Sequence, residues 1–198
     1  MLNVAGVGLE VLSASDPVAE RVEWTQITLG EGPVVDAIAR GVPVSLVDLS
    51  GSTRWPVFLA EVSDFSLGAI YALPLSIGAI KVGALELYSP VGATLSGPDF
   101  ADALAIGEML TAVLLSIGPG GTVPGSLGPW WNQPLSTREV HQATGMVMAQ
   151  LGVDARSAYV RLQAFAFGNQ RLLNDVAGDV VSRRLRFRPE PDDHTGKA

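Results

Sequence analysis

The sequence predicts an α+β protein: an antiparallel sheet with flanking helices over residues 1–117, then a small three-helix bundle over residues 136–188. Three observations carry that reading. Two runs rich in Ile, Val, Leu and Tyr, 68–75 and 80–88, flank the hairpin-like gap Ser76-Ile77-Gly78-Ala79. Residues 118–134 hold five Gly and four Pro without a sustained hydrophobic period, so 118–135 reads as a linker. The sign of the charge reverses there: residues 1–135 carry four cations against 13 acids, and residues 136–188 carry eight arginines against four acids. An acidic unit thus precedes a basic one, and the polar residues 189–198 read as a disordered tail.

The elements follow in order. Val4 to Ala14 reads as a strand running into a turn at Ser15-Asp16-Pro17. Pro33 opens a short helix over 34–40 that Gly41 stops. Val42 to Leu46 is a second β-rich run, followed by the pair already named. Pro98 and Asp99 introduce a helix over 100–117 whose apolar stripe runs Phe100, Ala103, Leu104, Gly107, Leu110, Thr111 and Leu114. Its reverse side is also apolar, with Ile106, Met109, Val113 and Ile117, and a helix apolar all round needs cover on both sides. Either a second copy in a two-fold homodimer or another part of this chain supplies it.

Three helices fit residues 136–186. Ser136 or Thr137 caps the first, with Val140, Ala143, Val147 and Leu151 inward and Gly152 ending it. Asp154 caps the second, with Ala158, Leu162 and Phe165 inward. Leu173, Val176, Ala177 and Val180 form the core stripe of the third, so the three make one small bundle.

Composition excludes several functions. A net charge of -7 excludes a uniformly basic nucleic-acid coat but leaves room for a local patch. Without cysteine there are no disulfides, thiolate metal sites or cysteine nucleophiles, which suits a reducing cytoplasm. No basic segment with a following apolar run suggests a signal peptide, and the apolar stretch 103–117 is short for a membrane span and contains Glu108. Metal-ligand clusters, a phosphate-binding glycine loop followed by Lys, and a serine elbow with a nearby His are all missing, so neither catalysis nor a cofactor is expected.

Candidate contact residues lie on the first helix of the basic unit. At about 100° per residue, Arg138, Gln142, Gly145 and Ala149 fall on one face opposite the core stripe, with His141 on its flank. A mid-helix glycine costs about 1 kcal/mol relative to alanine, so something comes close to Gly145. Approach by a phosphate backbone or an unstacked base, and approach by a neighbouring helix, both fit. Arg161 on the second helix reads as a further contact, Tyr159 as packing, and Val160, Ala164 and Phe167 as a strip facing a partner or the acidic unit. Arg183, Arg184, Arg186 and Arg188 either track phosphates or satisfy a helix C-terminus.

Two resemblances bear on function. Gly30-Glu31-Gly32-Pro33, Asp36-Ala37, Gly41, Asp48, Arg54-Trp55-Pro56, Leu73-Pro74-Leu75 and Gly83 to Tyr88 resemble a GAF domain over residues 3–117. Such domains usually begin with a helix and strand that would precede Leu2, so the resemblance implies an open sheet edge or a misplaced start. It also implies a small-molecule pocket, for which Trp24, Asp48, Trp55 and Pro56 are candidates; a purely dimerising role is the alternative. Arg138, Gln142-Ala143-Thr144-Gly145-Met146, Met148, Ala158-Tyr159, Leu162, Ala166, Asn169, Leu173 and Asp175-Val176-Ala177 resemble an ANTAR domain. That family implies binding of paired stem-loops in nascent RNA and prevention of a transcription terminator, and Thr144, standing where many members carry Lys, joins the candidate RNA contacts. Two expectations follow. One is an RNA-binding antitermination regulator gated by a ligand or signalling partner at the GAF-like unit. The other is a dimerising sensor or protein-interaction module without RNA binding.

Overall fold

The structure, a computed structural model, describes residues 1–4, 8–117 and 135–188. The linker and tail expected at 118–134 and 189–198 lie outside the described residues.

The acidic unit is built on a five-stranded antiparallel sheet of β1 (Leu2–Val4), β2 (Gly8–Glu10), β3 (Val44–Leu46), β4 (Leu67–Ile77) and β5 (Ile80–Pro90), in the order β2-β1-β5-β4-β3. The long pair β4 and β5 forms the centre as the expected hairpin, its turn shortened from the expected 76–79 to Gly78-Ala79, with Tyr71 opposite Leu87 and Leu73 opposite Leu85. Both edge strands have three residues, which limits the unpaired backbone open to another chain. Alternation along β4 divides the core. Ile70 and Ala72 join Val34, Ala37 and Ile38 of α2 (Pro33–Arg40), whereas Tyr71 meets Phe100 and Leu75 meets Gly107 of α4 (Gly97–Ile117).

Two helices depart from the sequence reading. The turn at Asp16-Pro17 proves to be the start of α1 (Pro17–Leu29). Asp16 caps it by accepting from the Val18 and Ala19 amides at 2.9 Å, Pro17 occupies the first turn, and Gly30 ends it with φ 66°. The run expected as one strand from Val4 to Ala14 holds β2 and only the last residue of β1, which begins at Leu2 and pairs with β2. A short α3 (Pro56–Glu61) follows Trp55.

Helix α1 is buried on almost every side, from Val22 through Thr28. Its polar side chains find partners on other elements. The Gln26 amide donates to Glu86 of β5 at 2.7 Å and accepts from the Val34 amide, at the start of α2, at 2.9 Å. Gly32 is required beside it, because a Cβ at Gly32 would come within 2.4 Å of the Gln26 side chain and φ there is 140°.

Glu23 and Glu86 face each other in this layer. Burial pushes both carboxyls above the ordinary range; the Glu23 charge drives Glu86 further, while Tyr88, Gln26 and the Met1 ammonium oppose that rise. Because the folded state holds the proton more tightly than the unfolded chain, this pair stabilises the fold at acidic pH. That contribution is lost as pH rises from the ordinary glutamate value through the raised one. Glu86→Gln places an amide donor beside the unpartnered Glu23 Oε2. Its melting temperature is expected to exceed the parent's by a few °C at pH 8, about 1 kcal/mol for this chain length, with the gap closing toward pH 5. A constant gap across that range, measured by thermal melts, contradicts the assignment.

The basic unit comprises α5 (Leu135–Leu151), α6 (Ala155–Gly168) and α7 (Leu173–Val181). Val140, Ala143, Val147, Ala158, Leu162, Ala166, Leu173, Val176, Ala177 and Val180 form its core, including nearly every position the periodicity assigns inward.

The two units pack together, and helix ends make the joint. Leu172, at the N-cap of α7, offers no capping oxygen, and the Leu173 amide donates instead to Thr28 Oγ1 of α1 at 2.9 Å. In return the Gln163 amide of α6 donates to the Ile27 carbonyl in the last turn of α1 at 2.6 Å. Tyr159 lies against the backbone of Gly8, where an added Cβ would stand 2.9 Å from its ring. Val160, Ala164 and Phe167, the strip expected to face a partner or the acidic unit, are exposed, and Phe167 lines a cleft at the joint, whose bonds and close contacts are made by Tyr159, Gln163 and Leu173.

Candidate nucleic-acid interface

Helix α5 sorts its side chains by angle. Val140, Ala143 and Val147 point into the bundle, whereas Arg138, Gln142, Gly145 and Ala149 are all exposed. A Cβ built on Gly145 meets nothing within 4 Å among the described residues, so none of the described helices requires its small size. Of the two readings of that glycine, approach by a neighbouring helix finds no counterpart among the described residues. The result is a shallow surface about 17 Å long, from 11 residues at 1.5 Å rise, with a guanidinium at its N-terminal end.

Each flank of this surface is defined by different chemistry. His141 Nε2 lies 2.5 Å from Glu10 Oε1 at the end of β2, and the bond to Glu10 raises the imidazole pKa against the opposing effect of burial. His141 is thereby engaged with the acidic unit. On the far flank Glu139 lies against Gly178 of α7, and the Gln150 side-chain Oε1 accepts from the Phe187 amide at 2.9 Å.

Thr144 does not belong to the exposed face. Its side chain is turned inward, is 4% exposed, and donates to the Val140 carbonyl one turn earlier at 2.8 Å. Its angular position, about 240° from Arg138 by a 100° step, places it among the core residues. Arg161 stands exposed on α6, and no bond from its guanidinium to another described residue is found. Arg171 and Arg184 share the Asp179 carboxylate at 2.6 and 2.7 Å, which lowers the pKa of that acid and fixes the turns at both ends of α7.

The four pocket candidates separate. Trp24 is 1% exposed within α1 and belongs to the core. Trp55 is buried beneath the Arg54 guanidinium, 4.0 Å from the ring centre, and Arg54 in turn binds Asp36 at 2.9 Å. Only Asp48 and Pro56 line a common cleft, of about 710 Å³, together with Leu59, Phe65 and Val91. Asp48 is occupied in its own turn, accepting from Ser50 Oγ at 2.7 Å and from the Gly51 amide at 3.0 Å, which lowers its pKa. A second cleft, of about 490 Å³, opens at the joint between the units; Arg21, Thr25 and Glu61 line one side, and Phe167, Gln170 and Arg171 the other. Sequence reasoning missed this cleft, because its walls come from helices about 140 residues apart.

Among the described residues, no group of three or more His, Asp or Glu stands ready to hold a metal ion, and no helix is long and apolar enough to cross a membrane. No curated protein matches the chain. Residues 134–181 match the ANTAR domain family, whereas the α+β unit before them lies outside that match. The match covers all three helices of the basic unit and the whole of the exposed α5 face, and this part of the chain is therefore an ANTAR domain.

Proposed function

We propose that this protein is an RNA-binding regulator of transcription antitermination that docks stem-loops on the exposed face of α5. The observation that carries the reading is the juxtaposition of Arg138, Gln142, Gly145 and Ala149 on an open surface inside an ANTAR domain. Donors at its rim suit phosphate and base edges, and the small central residues admit close approach by a nucleic-acid backbone. Arg161, exposed on α6, is a candidate further contact; His141 is one only where RNA replaces Glu10 as its partner.

The preceding unit is read as a GAF-like sensor and dimerisation element. Ile106, Met109, Leu110, Val113 and Leu115 expose apolar side chains along α4, a self-complementary stripe suited to a two-fold homodimer. Gating follows from the joint: a ligand in the 490 Å³ cleft touches both units and stabilises their docked arrangement by its differential affinity for it.

Arg138→Glu in the full chain tests the RNA-binding reading. Its affinity for a tandem-hairpin RNA is expected to fall at least tenfold at moderate salt, with the melting temperature unchanged. Parental binding is expected to weaken steeply as salt rises. Absence of parental binding at low salt overturns the proposal, and an equal loss of stability in the variant returns Arg138 to a structural role.

A further inference from the structure

Beyond the ANTAR match, which ends at residue 181, the chain does not leave the bundle. It turns at Arg183, where φ is 62°, and the Arg184 and Leu185 amides close the turn on the Asp179 carbonyl at 2.8 and 3.0 Å. From there residues 185–188 run without helix. Leu185 and Phe187 are partly buried against the core, and Phe187 packs edge-on against Phe165 of α6 with ring centres 5.4 Å apart. The Phe187 amide is tied to Gln150, at the last turn of α5.

This anchoring alternates with exposure. Arg184, Arg186 and Arg188 are exposed, and Arg184 is already neutralised by Asp179. Arg186 and Arg188 form no ion pair with a described residue and stand about 6.6 Å apart at 3.3 Å per residue. Helix-end chemistry does not account for them, since the α7 C-terminus is already closed by Arg183, Arg184 and Ser182 backbone bonds. Phe187, between them in sequence, is tied to the Gln150 flank of α5, whereas Glu10 of the acidic unit occupies the His141 flank.

We infer that residues 183–188 are an arginine strap of the RNA interface, with Arg186 and Arg188 holding phosphates of the stem whose tip docks on the α5 face. This rests on the RNA-binding reading above. The strap extends the surface beyond the ANTAR match and biases the RNA toward the side away from the acidic unit. Arg138 and the strap then bracket the neutral centre of α5, about 18 Å apart along the axis at 1.5 Å per residue. Phosphate contacts carry no sequence information, so the strap can be read out with an RNA that is not the natural target.

The test uses the full chain, a tandem-hairpin RNA labelled for fluorescence anisotropy, and a salt titration. The double variant Arg186→Gln/Arg188→Gln is expected to raise Kd at least tenfold at moderate salt. It should also reduce the slope of log K against log salt by nearly 2, one step of about 0.9 per phosphate released. Arg186→Lys/Arg188→Lys, which keeps both charges, is expected to restore the slope. The charge-matched control Arg40→Gln/Arg156→Gln, at exposed positions outside both clefts and the α5 face, is expected to leave it unchanged. Should the strap variant match the parent, or the control match the strap variant, the strap is no part of the interface, while an intact Arg138 effect preserves the α5 reading. Failure of the parent to bind at low salt overturns both.

Discussion

Trp24→Ala is expected to lower the unfolding free energy by about 3–5 kcal/mol, the range for emptying a fully buried large aromatic site. Trp24 lies at 1% exposure in a helix enclosed by the sheet layer on one side and by α6 and α7 on another. Truncation therefore leaves a cavity that the surrounding elements cannot collapse without breaking the Gln26 and Thr28 bonds one turn away. Trp24→Phe should cost less. It keeps most of the apolar volume and removes an indole N–H that has no partner among the described residues. Denaturant unfolding followed by far-UV circular dichroism measures both. A cost below about 1 kcal/mol for alanine would show that the indole lines an accessible cavity, and would restore Trp24 as a ligand contact.

Leu173→Ala is expected to cost about 2–5 kcal/mol and to weaken both units together. The side chain is fully buried, and its own amide is the donor that Thr28 captures across the joint. One apolar cluster runs from Val22 and Ile27 of the acidic unit to Leu162 and Val180 of the ANTAR domain. A shared core of this kind unfolds cooperatively, so a single transition is expected, shifted as a whole to lower denaturant. Two separate transitions, with only one shifted by the substitution, would show that the units fold independently and that their contact contributes little.

Much of the fold was legible because it follows simple periods. The β4–β5 pair is rich in Ile, Val, Leu and Tyr on either side of a short turn, α4 is a long apolar run behind Pro98 and Asp99, and the ANTAR helices carry apolar stripes between caps. Helix α1 was not legible, and its burial explains why. An enclosed helix has no polar face to set against an apolar one, and Glu23, Thr25, Gln26 and Thr28 interrupt whatever stripe remains. Those polar positions are tolerated because Glu86, Val34 and Leu173 meet them from elements distant in sequence, and nothing local announces such partners.

The interface divides in the same way. Angular position on α5 placed Arg138, Gln142, Gly145 and Ala149 on one open face, and the structure leaves them there. Thr144, expected among the contacts, is instead inside, because the 100° step carries it to the core and its hydroxyl donates to the Val140 carbonyl. His141 is an exception of another kind: its angle places it on the flank, but Glu10, 131 residues earlier, determines what it binds. The strap was visible as four arginines with two readings, and only the anchors at Phe165 and Gln150 separate exposed cations from helix-end ones.

The sequence by itself determined the β4–β5 hairpin, the helices α2 and α4 to α7, the reversal of charge and the open face of α5, because each depends on residues a few positions apart. Only the tertiary structure decided that the two units share a core, that α1 and α7 complete each other's ends, and that Arg186 and Arg188 stand beside α5. Those features join residues as much as 150 positions apart through hydrogen bonds and burial, which have no signature in local spacing.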